Sequence, residues 1–270
     1  MNKFILNNGN KIPALGLGTY LTTSQTDVTS SLKSALENGF SLIDTAEIYE
    51  NEPQIGIALN SLKGRREDLF LTSKVWNIKQ GYDNTMRAFE QSLKDLKTNY
   101  LDLYLVHWPF NGDFFDTWRA MENLYEQGVA KNIGVCNFHK QHLEKLFTKS
   151  NIIPAVNQIE LHPYLTQVEL RNFCNKHNIV VESWSPIAKG TVANDSVLKN
   201  IGKKYKKTAV QVVLRWHIQL GLVAIPKSVN PQRITQSIDI FDFKLSESEM
   251  EEICNLNKNK RFGPNPDSFN

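Results

Sequence analysis

Three polar residues stand at comparable points of three successive apolar runs. Asp44 follows Leu42-Ile43, Lys74 follows Leu69-Phe-Leu-Thr-Ser73, and His107 follows Leu101-Asp-Leu-Tyr-Leu-Val106. Their separations of 30 and 33 residues each match one strand-helix-strand repeat, which puts them on adjacent strands at equivalent depth, with Tyr49 in the loop directly above. A carboxylate closing an apolar run is costly unless it is paired or functional, and Lys74 is the natural counter-ion. A free tyrosine, with a pKa of about 10, is too weak an acid to work quickly at neutral pH. A neighbouring ammonium favours phenolate and is expected to lower that value by roughly 1–3 units. With His107 donating to an oxygen between itself and Tyr49, the set forms a proton donor plus an oxyanion-stabilising site for carbonyl reduction. Singly, each residue has a plain structural reading, such as a strand-end lysine reaching solvent or a core histidine before Trp108-Pro109. The joint placement carries the chemistry.

The elements that must position these residues follow from periodicity. Asn8-Gly9 between two short apolar segments is a hairpin signal. From residue 15 a pattern of apolar segment, loop and helix repeats eight times. The expected strands are Leu15–Thr19, Ser41–Ile43, Leu69–Ser73, Leu101–Val106, Ile133–Val135, Ala155–Ile159, Ile179–Val181 and Leu222–Ile225. Between them run helical patterns, the second opened by Pro53 and stopped at Gly64, the seventh running from about Val197 to Leu220. Pro231 opens the eighth helix with Asn230 as N-cap, and Ser246–Asn255 is one further helix. Eight such units close into a (β/α)8 TIM barrel with an N-terminal β-hairpin and an extra C-terminal helix, spanning residues 1–270 as a single domain. The rival, an open doubly wound sheet, would carry Gly-x-Gly-x-x-Gly after its first strand. Here Gly16-Leu-Gly18 is followed by Thr19-Tyr20-Leu21, without the third glycine.

A net charge of +3 is too small to argue for nucleic acid, so no nucleic-acid partner is expected, and no apolar stretch approaches the ~20 residues of a membrane span. The basic run Lys203-Lys204-Tyr205-Lys206-Lys207 reads as a solvated helix face. Three cysteines without metal-ligand spacing suit a reduced, cytoplasmic protein, and a monomer is the default for this architecture. His139 and His142, spaced i, i+3, lack a third ligand or a carboxylate partner and read as surface residues rather than a metal pair, so no metal is expected.

None of the four central groups can deliver hydride, so a reductase requires a nicotinamide. After the eighth strand, Ile225-Pro-Lys227-Ser228-Val229-Asn230-Pro231-Gln-Arg233 brings a Lys, a Ser and an Arg to a helix N-terminus, where barrels bind phosphate. An ordinary capped surface helix would explain Arg233 alone but not the whole run. Tyr20, Trp76, Trp108 and Phe110 follow strands one, three and four, as an apolar rim around the carbonyl or as loop packing.

Along essentially its whole length the sequence resembles the aldo-keto reductase superfamily. The resemblance is carried in order by Gly16-Leu-Gly-Thr-Tyr20, Ile43-Asp-Thr-Ala-Glu-Ile-Tyr49, Thr72-Ser-Lys74 and Val106-His-Trp-Pro109. It continues through Gly134-Val-Cys-Asn-Phe138, Asn157-Gln-Ile-Glu160, Trp184-Ser-Pro186 and Ile225-Pro-Lys-Ser228. It implies a catalytic tetrad of Asp44, Tyr49, Lys74 and His107, with Tyr49 as general acid in reduction. It implies NADPH as cofactor, with Lys227, Ser228 and Arg233 on the 2′-phosphate, Asn137 and Gln158 on the carboxamide, and Trp184 stacked on the nicotinamide. Gly18, Thr19, Asp44, Cys136, Ser185, Pro186, Ile187, Val229, Gln236 and Ser237 complete the implied cofactor site. Tyr20, Tyr49, Trp76, His107 and Trp108 form the implied site for a small carbonyl substrate, the tail from Phe262 to Pro266 bordering the cleft. The subtype resembles the bacterial diketogluconate and glyoxal reductases. Two positions depart from the family pattern: Cys136 replaces the usual Ser, a weaker donor, and Gln236-Ser237 replaces the usual Glu-Asn. Two other functions fit parts of the sequence. A Schiff-base aldolase would need a neutral Lys74, which Asp44 opposes, and a non-turnover NADPH-binding redox sensor would not need the complete tetrad.

Overall fold

The structure, a computed structural model, describes residues 2–62, 65–110 and 114–269. Strands β1 (Lys3–Ile5) and β2 (Lys11–Pro13) pair antiparallel with Phe4 opposite Ile12, and Gly9 supplies the positive φ of +87° that the tight turn needs. Eight parallel strands follow: β3 Gly16–Gly18, β4 Leu42–Asp44, β5 Phe70–Val75, β6 Leu103–Val106, β7 Ile133–Cys136, β8 Val156–Glu160, β9 Val180–Trp184 and β10 Val223–Ala224. Each pairs with its sequence neighbour, and bridges Leu15–Ala224 and Gly18–Lys227 join the last strand to the first. The sheet is therefore a closed (β/α)8 TIM barrel.

Around it lie α1 (Gln25–Glu37), α2 (Glu52–Ser61), α3 (Tyr82–Asp95), α4 (Phe115–Glu126), α5 (Lys140–Phe147) and α6 (Val168–Lys176). The circuit continues with α7 (Ser196–Tyr205), α8 (Ala209–Gln219) and α9 (Pro231–Ile238), and α10 (Glu247–Cys254) is the extra C-terminal helix. Gly64, expected to stop the second helix, lies outside the described residues. The seventh helical pattern is two helices, not one. Lys206 ends α7 in the left-handed conformation at φ +56°, and Thr208 caps α8 in a reciprocal capping box with Gln211. Thr-x-x-Gln is a helix-start signal, and here it overrides a continuous apolar period. Lys203, Lys204 and Lys206 of the basic run are exposed as expected, and Lys207 alone of its lysines is not. Lys207 is turned inward with only 8% of its side chain exposed, paired with Asp239 and Asp242 at 2.7 and 2.8 Å.

Side-chain alternation divides each strand between two cores. Inward rows such as Leu42–Asp44, Phe70–Thr72–Lys74, Leu103–Leu105–His107 and Val156–Gln158–Glu160 begin apolar and end polar. Their lower members pack with Leu6 and Ile12 of the hairpin, which plug the barrel floor, each burial stabilising by roughly 1.5–3 kcal/mol. Outward residues, among them Ile43, Leu71, Val75, Tyr104 and Val135, pack under the helices. The fourth expected strand starts late, at Leu103. Asp102 breaks the ladder there by accepting the Leu71 N–H at 2.9 Å and pairing with Arg66 at 2.7 Å.

Candidate active site

The polar ends of the inward rows converge at the C-terminal mouth of the barrel. Asp44 is the last residue of β4. Lys74 lies inside β5 rather than at its end, and is completely buried. Its Nζ donates to Asp44 Oδ1 at 2.7 Å and to the Thr45 carbonyl at 2.9 Å. Burial works against the charge of Lys74, and Asp44, the strongest of the neighbours that oppose it, helps to hold the ammonium above its ordinary pKa. Asp44 Oδ2 accepts from Gln158 Nε2 at 2.8 Å, and the Asp44 carbonyl accepts from both the backbone and the hydroxyl of Thr19.

Tyr49 sits on the short 3-10 turn Glu47–Tyr49 that follows β4. Its ring centroid is 5.1 Å from Lys74 Nζ, 5.8 Å from the His107 ring and 5.1 Å from the Tyr20 ring. The expected acidification is not found. Burial raises the phenol above its ordinary pKa, and the charge of Lys74, which favours phenolate, offsets this only in part. His107 is buried, its imidazole driven well below its ordinary pKa by desolvation and then by Lys74, so it is neutral at physiological pH. Its backbone is fixed on both sides, the N–H on Val75 O and the carbonyl on Asn137 Nδ2.

Two residues that position this set carry no signal in the sequence. Asn51, fully buried, donates to the Thr19 and Thr22 carbonyls at 2.9 Å each and accepts from Thr45 Oγ1 at 2.6 Å, clamping the Tyr49 turn to the loop after β3. Glu52 accepts from Ser73 and Ser92, and burial pushes its carboxyl up to about 7. A third, Glu182 in the middle of β9, is completely buried and accepts from Gln158 Nε2 at 2.8 Å. The carboxylate within Val180-Val181-Glu182 was as visible in the sequence as Asp44.

The implied cofactor residues line the same mouth between β7 and α9. Asn137, at φ +65°, accepts from Trp184 Nε1 at 2.8 Å, so the indole is held in place. Cys136 Sγ accepts from Asn137 Nδ2 at 3.1 Å and lies 3.7 Å from Gln158 Oε1, its thiol kept protonated by burial. Ser185 takes a left-handed turn at φ +49° that leads Pro186 and Ile187 away from the strand. Asn230 caps α9 through the Arg233 N–H, as expected. Lys227 and Arg233 are exposed and make no ion pair among the described residues, while Ser228, Val229 and Gln236 lie beside them at the surface. Ser237 is buried and returns its hydroxyl to the Arg233 carbonyl.

Of the implied substrate residues, Tyr20 is 56% exposed, while Trp108 is buried. Trp76 packs 5.1 Å from His107, and Phe110 is half-buried. The C-terminal tail closes this rim. Phe269 lies 4.2 Å from Trp108 and 6.4 Å from Trp76. The tail is anchored on Glu160, which accepts from the Phe262 and Gly263 N–H groups at 2.6 and 3.1 Å. Gly263 crosses Trp184 so closely that a Cβ would lie 2.4 Å from the indole. His139 and His142 are not free surface residues. His139 is half-buried, bonding Asp267 at 2.8 Å and Arg261 at 2.8 Å, and His142 lies 3.8 Å from Asp267. Asp267 is the carboxylate partner expected to be missing, and the pair fastens the tail.

The Aldo/keto reductase family model matches residues 14–258. Glyoxal reductase of Bacillus subtilis is 49% identical over 264 residues, covering 98% of this chain and 96% of its own. Methylglyoxal reductase DkgA of Escherichia coli is 42% identical over 268 residues, with 98% and 96% covered. A mutant of Gox0644 in complex with NADPH superposes with a TM-score of 0.95 at 40% identity, covering 100% of this chain and 98% of that one.

Proposed function

This chain belongs to the aldo/keto reductase family, and from that premise we propose that it reduces small aldehydes, ketones and dicarbonyls to alcohols, with NADPH as reductant and Tyr49 as proton donor. The observation that carries this reading is the buried Lys74–Asp44 pair beneath Tyr49 and His107. A raised phenol pKa keeps Tyr49 protonated and ready to donate. Lys74, charged and desolvated, acts when the phenol gives up its proton, because an ammonium in a dry site stabilises a developing phenolate far more than it would in water. Neutral His107 retains one N–H and offers it to the carbonyl oxygen, fixing the orientation in which Tyr49 protonates that oxygen. Asp44 keeps Lys74 in its charged form.

The residues present fit NADPH. Lys227 and Arg233, without ion pairs among the described residues, suit a phosphate ester at the N-terminus of α9, and Asn137, Gln158 and Trp184 suit an amide-bearing ring. When bound, NADPH supplies the hydride. The names of the glyoxal and methylglyoxal reductases, together with a rim of Tyr20, Trp76, Trp108 and Phe269, support a small dicarbonyl as substrate. The charged state of Lys74 speaks against a Schiff-base mechanism, which needs a neutral amine. The deciding measurement is NADPH absorbance on addition of methylglyoxal. Steady loss is expected, whereas no turnover across a carbonyl panel would leave only a binding protein.

A further inference from the structure

Gln158 has one amide nitrogen with two hydrogens, and both are spent on carboxyl groups. Nε2 donates to Asp44 Oδ2 and to Glu182 Oε2, each at 2.8 Å. Glu182 lies opposite Gln158 on one side and Val223 on the other, wholly inside the barrel. The titratable groups facing it are Asp44 of β4, Lys74 of β5 and Cys136 of β7. Among the described residues only Lys74 could neutralise it, and Lys74 is already taken by Asp44 at 2.7 Å. Glu182 Oε1 is buried without a partner among the described residues. An ionised Glu182 would therefore be a second, uncompensated carboxylate beside the first. A neutral acid avoids this and still offers Oε2 to Gln158.

We propose that Glu182 is a positioning residue of the reductase site, a buried neutral acid that fixes the Gln158 amide and leaves Asp44 as the sole counter-ion of Lys74. This rests on the reductase reading above. With both hydrogens of Gln158 directed at carboxyl oxygens, its Oε1, which accepts from the Cys136 thiol at 3.7 Å, keeps a lone pair to face a carboxamide. When Glu182 ionises at alkaline pH, the added negative charge binds the positive field of Lys74 more tightly. Less of that field then stabilises the Tyr49 phenolate, and reduction slows.

Two readouts test it. Difference infrared spectra, wild type minus Glu182→Gln, are expected to show the carbonyl stretch of a protonated carboxylic acid at pH 7, fading as pH rises through about 8. In NADPH-dependent reduction, the wild-type kcat/KM is expected to fall over the same range. Glu182→Gln keeps an acceptor for Gln158 but cannot ionise, and should move that alkaline limb up by about one pH unit or more. Gln158→Leu leaves Glu182 in place without its donor and should shift the infrared band to higher frequency. This keeps the test alive if Glu182→Gln does not fold. Absence of the band at neutral pH overturns the neutral acid whatever the activity. An alkaline limb that Glu182→Gln does not move overturns its coupling to catalysis. Failure of the wild type to oxidise NADPH would overturn the reductase reading, and the positioning role with it, while the infrared band still reports the state of Glu182.

Discussion

Lys74 Nζ lies 2.7 Å from Asp44 Oδ1 with 0% and 3% of their side chains exposed, so neither charge can turn to water if the other is removed. Lys74→Met should therefore leave a bare carboxylate inside the barrel and destabilise it by roughly 3–5 kcal/mol. The double variant Asp44→Asn/Lys74→Met should recover much of that loss and none of the activity. Urea unfolding of both proteins, beside an NADPH-consumption assay, separates the two effects. A double variant no more stable than Lys74→Met would mean that the pair is not the source of the cost.

Tyr49→Phe removes one hydroxyl and little else, since the ring keeps its contacts with Tyr20 and His107. Loss of a general acid typically costs on the order of 10²–10⁴ in rate, so kcat should fall within that range. NADPH affinity, followed by fluorescence titration, should stay within about twofold, because a phenol hydroxyl contributes little to binding the rest of a dinucleotide. Near-normal kcat would remove Tyr49 from the mechanism.

Arg233 and Lys227 make no ion pair among the described residues, and a 2′-phosphate is what distinguishes NADPH from NADH at such a position. Arg233→Ala should raise the KM for NADPH by roughly tenfold, the loss of one charge-assisted contact of about 1.5 kcal/mol, and change the KM for NADH little. The NADPH effect should shrink as salt is added. Equal effects on both cofactors would sink the phosphate assignment.

The tail should matter through Trp184. Gly263→Ala puts a methyl 2.4 Å from the indole, so either the tail lifts or the ring turns out of its bond to Asn137. The expected stability loss is roughly 1–3 kcal/mol. The KM for NADPH and for the carbonyl should both rise, since the two sites share this wall. A variant with lower stability and unchanged KM values would show that the tail is only packing.

Asp44, Lys74 and His107 could be read from the sequence because each interrupts an apolar run, and a barrel sends all such interruptions to one mouth. Glu182 obeys the same rule within Val180–Trp184, but it stands in mid-strand rather than at a strand end, where the polar groups of the mouth are expected. Asn51 and Glu52 were not legible, since a buried clamp in a polar stretch looks like any loop. The break at Thr208 was signalled by Thr-x-x-Gln inside an apolar period that ran straight through it. His139 and Asp267 meet across 128 residues, a distance no local pattern reports. The sign of the Tyr49 shift depends on how dry the cleft is, which spacing alone does not tell.

Glu52 sets the last expectation, a loss of stability with rising pH. Desolvation lifts its carboxyl from 4.5 to about 7, despite hydrogen bonds from Ser73 and Ser92. The folded state thus binds the proton more tightly than the unfolded chain. Its contribution is fully present below about 4.5 and is lost as pH rises through about 7. Integrated over that window the loss is roughly 3–4 kcal/mol, an upper bound for a site that relaxes on ionisation. Glu182, raised to about 8 by burial and by Asp44, adds a further loss in the same direction. Chemical denaturation of the wild type should give a lower unfolding free energy at pH 8 than at pH 5. Glu52→Gln should flatten the part of the slope below about pH 7. A wild-type profile that climbs between pH 5 and 8, or one that Glu52→Gln leaves unchanged, would mean that Glu52 is already ionised in the fold.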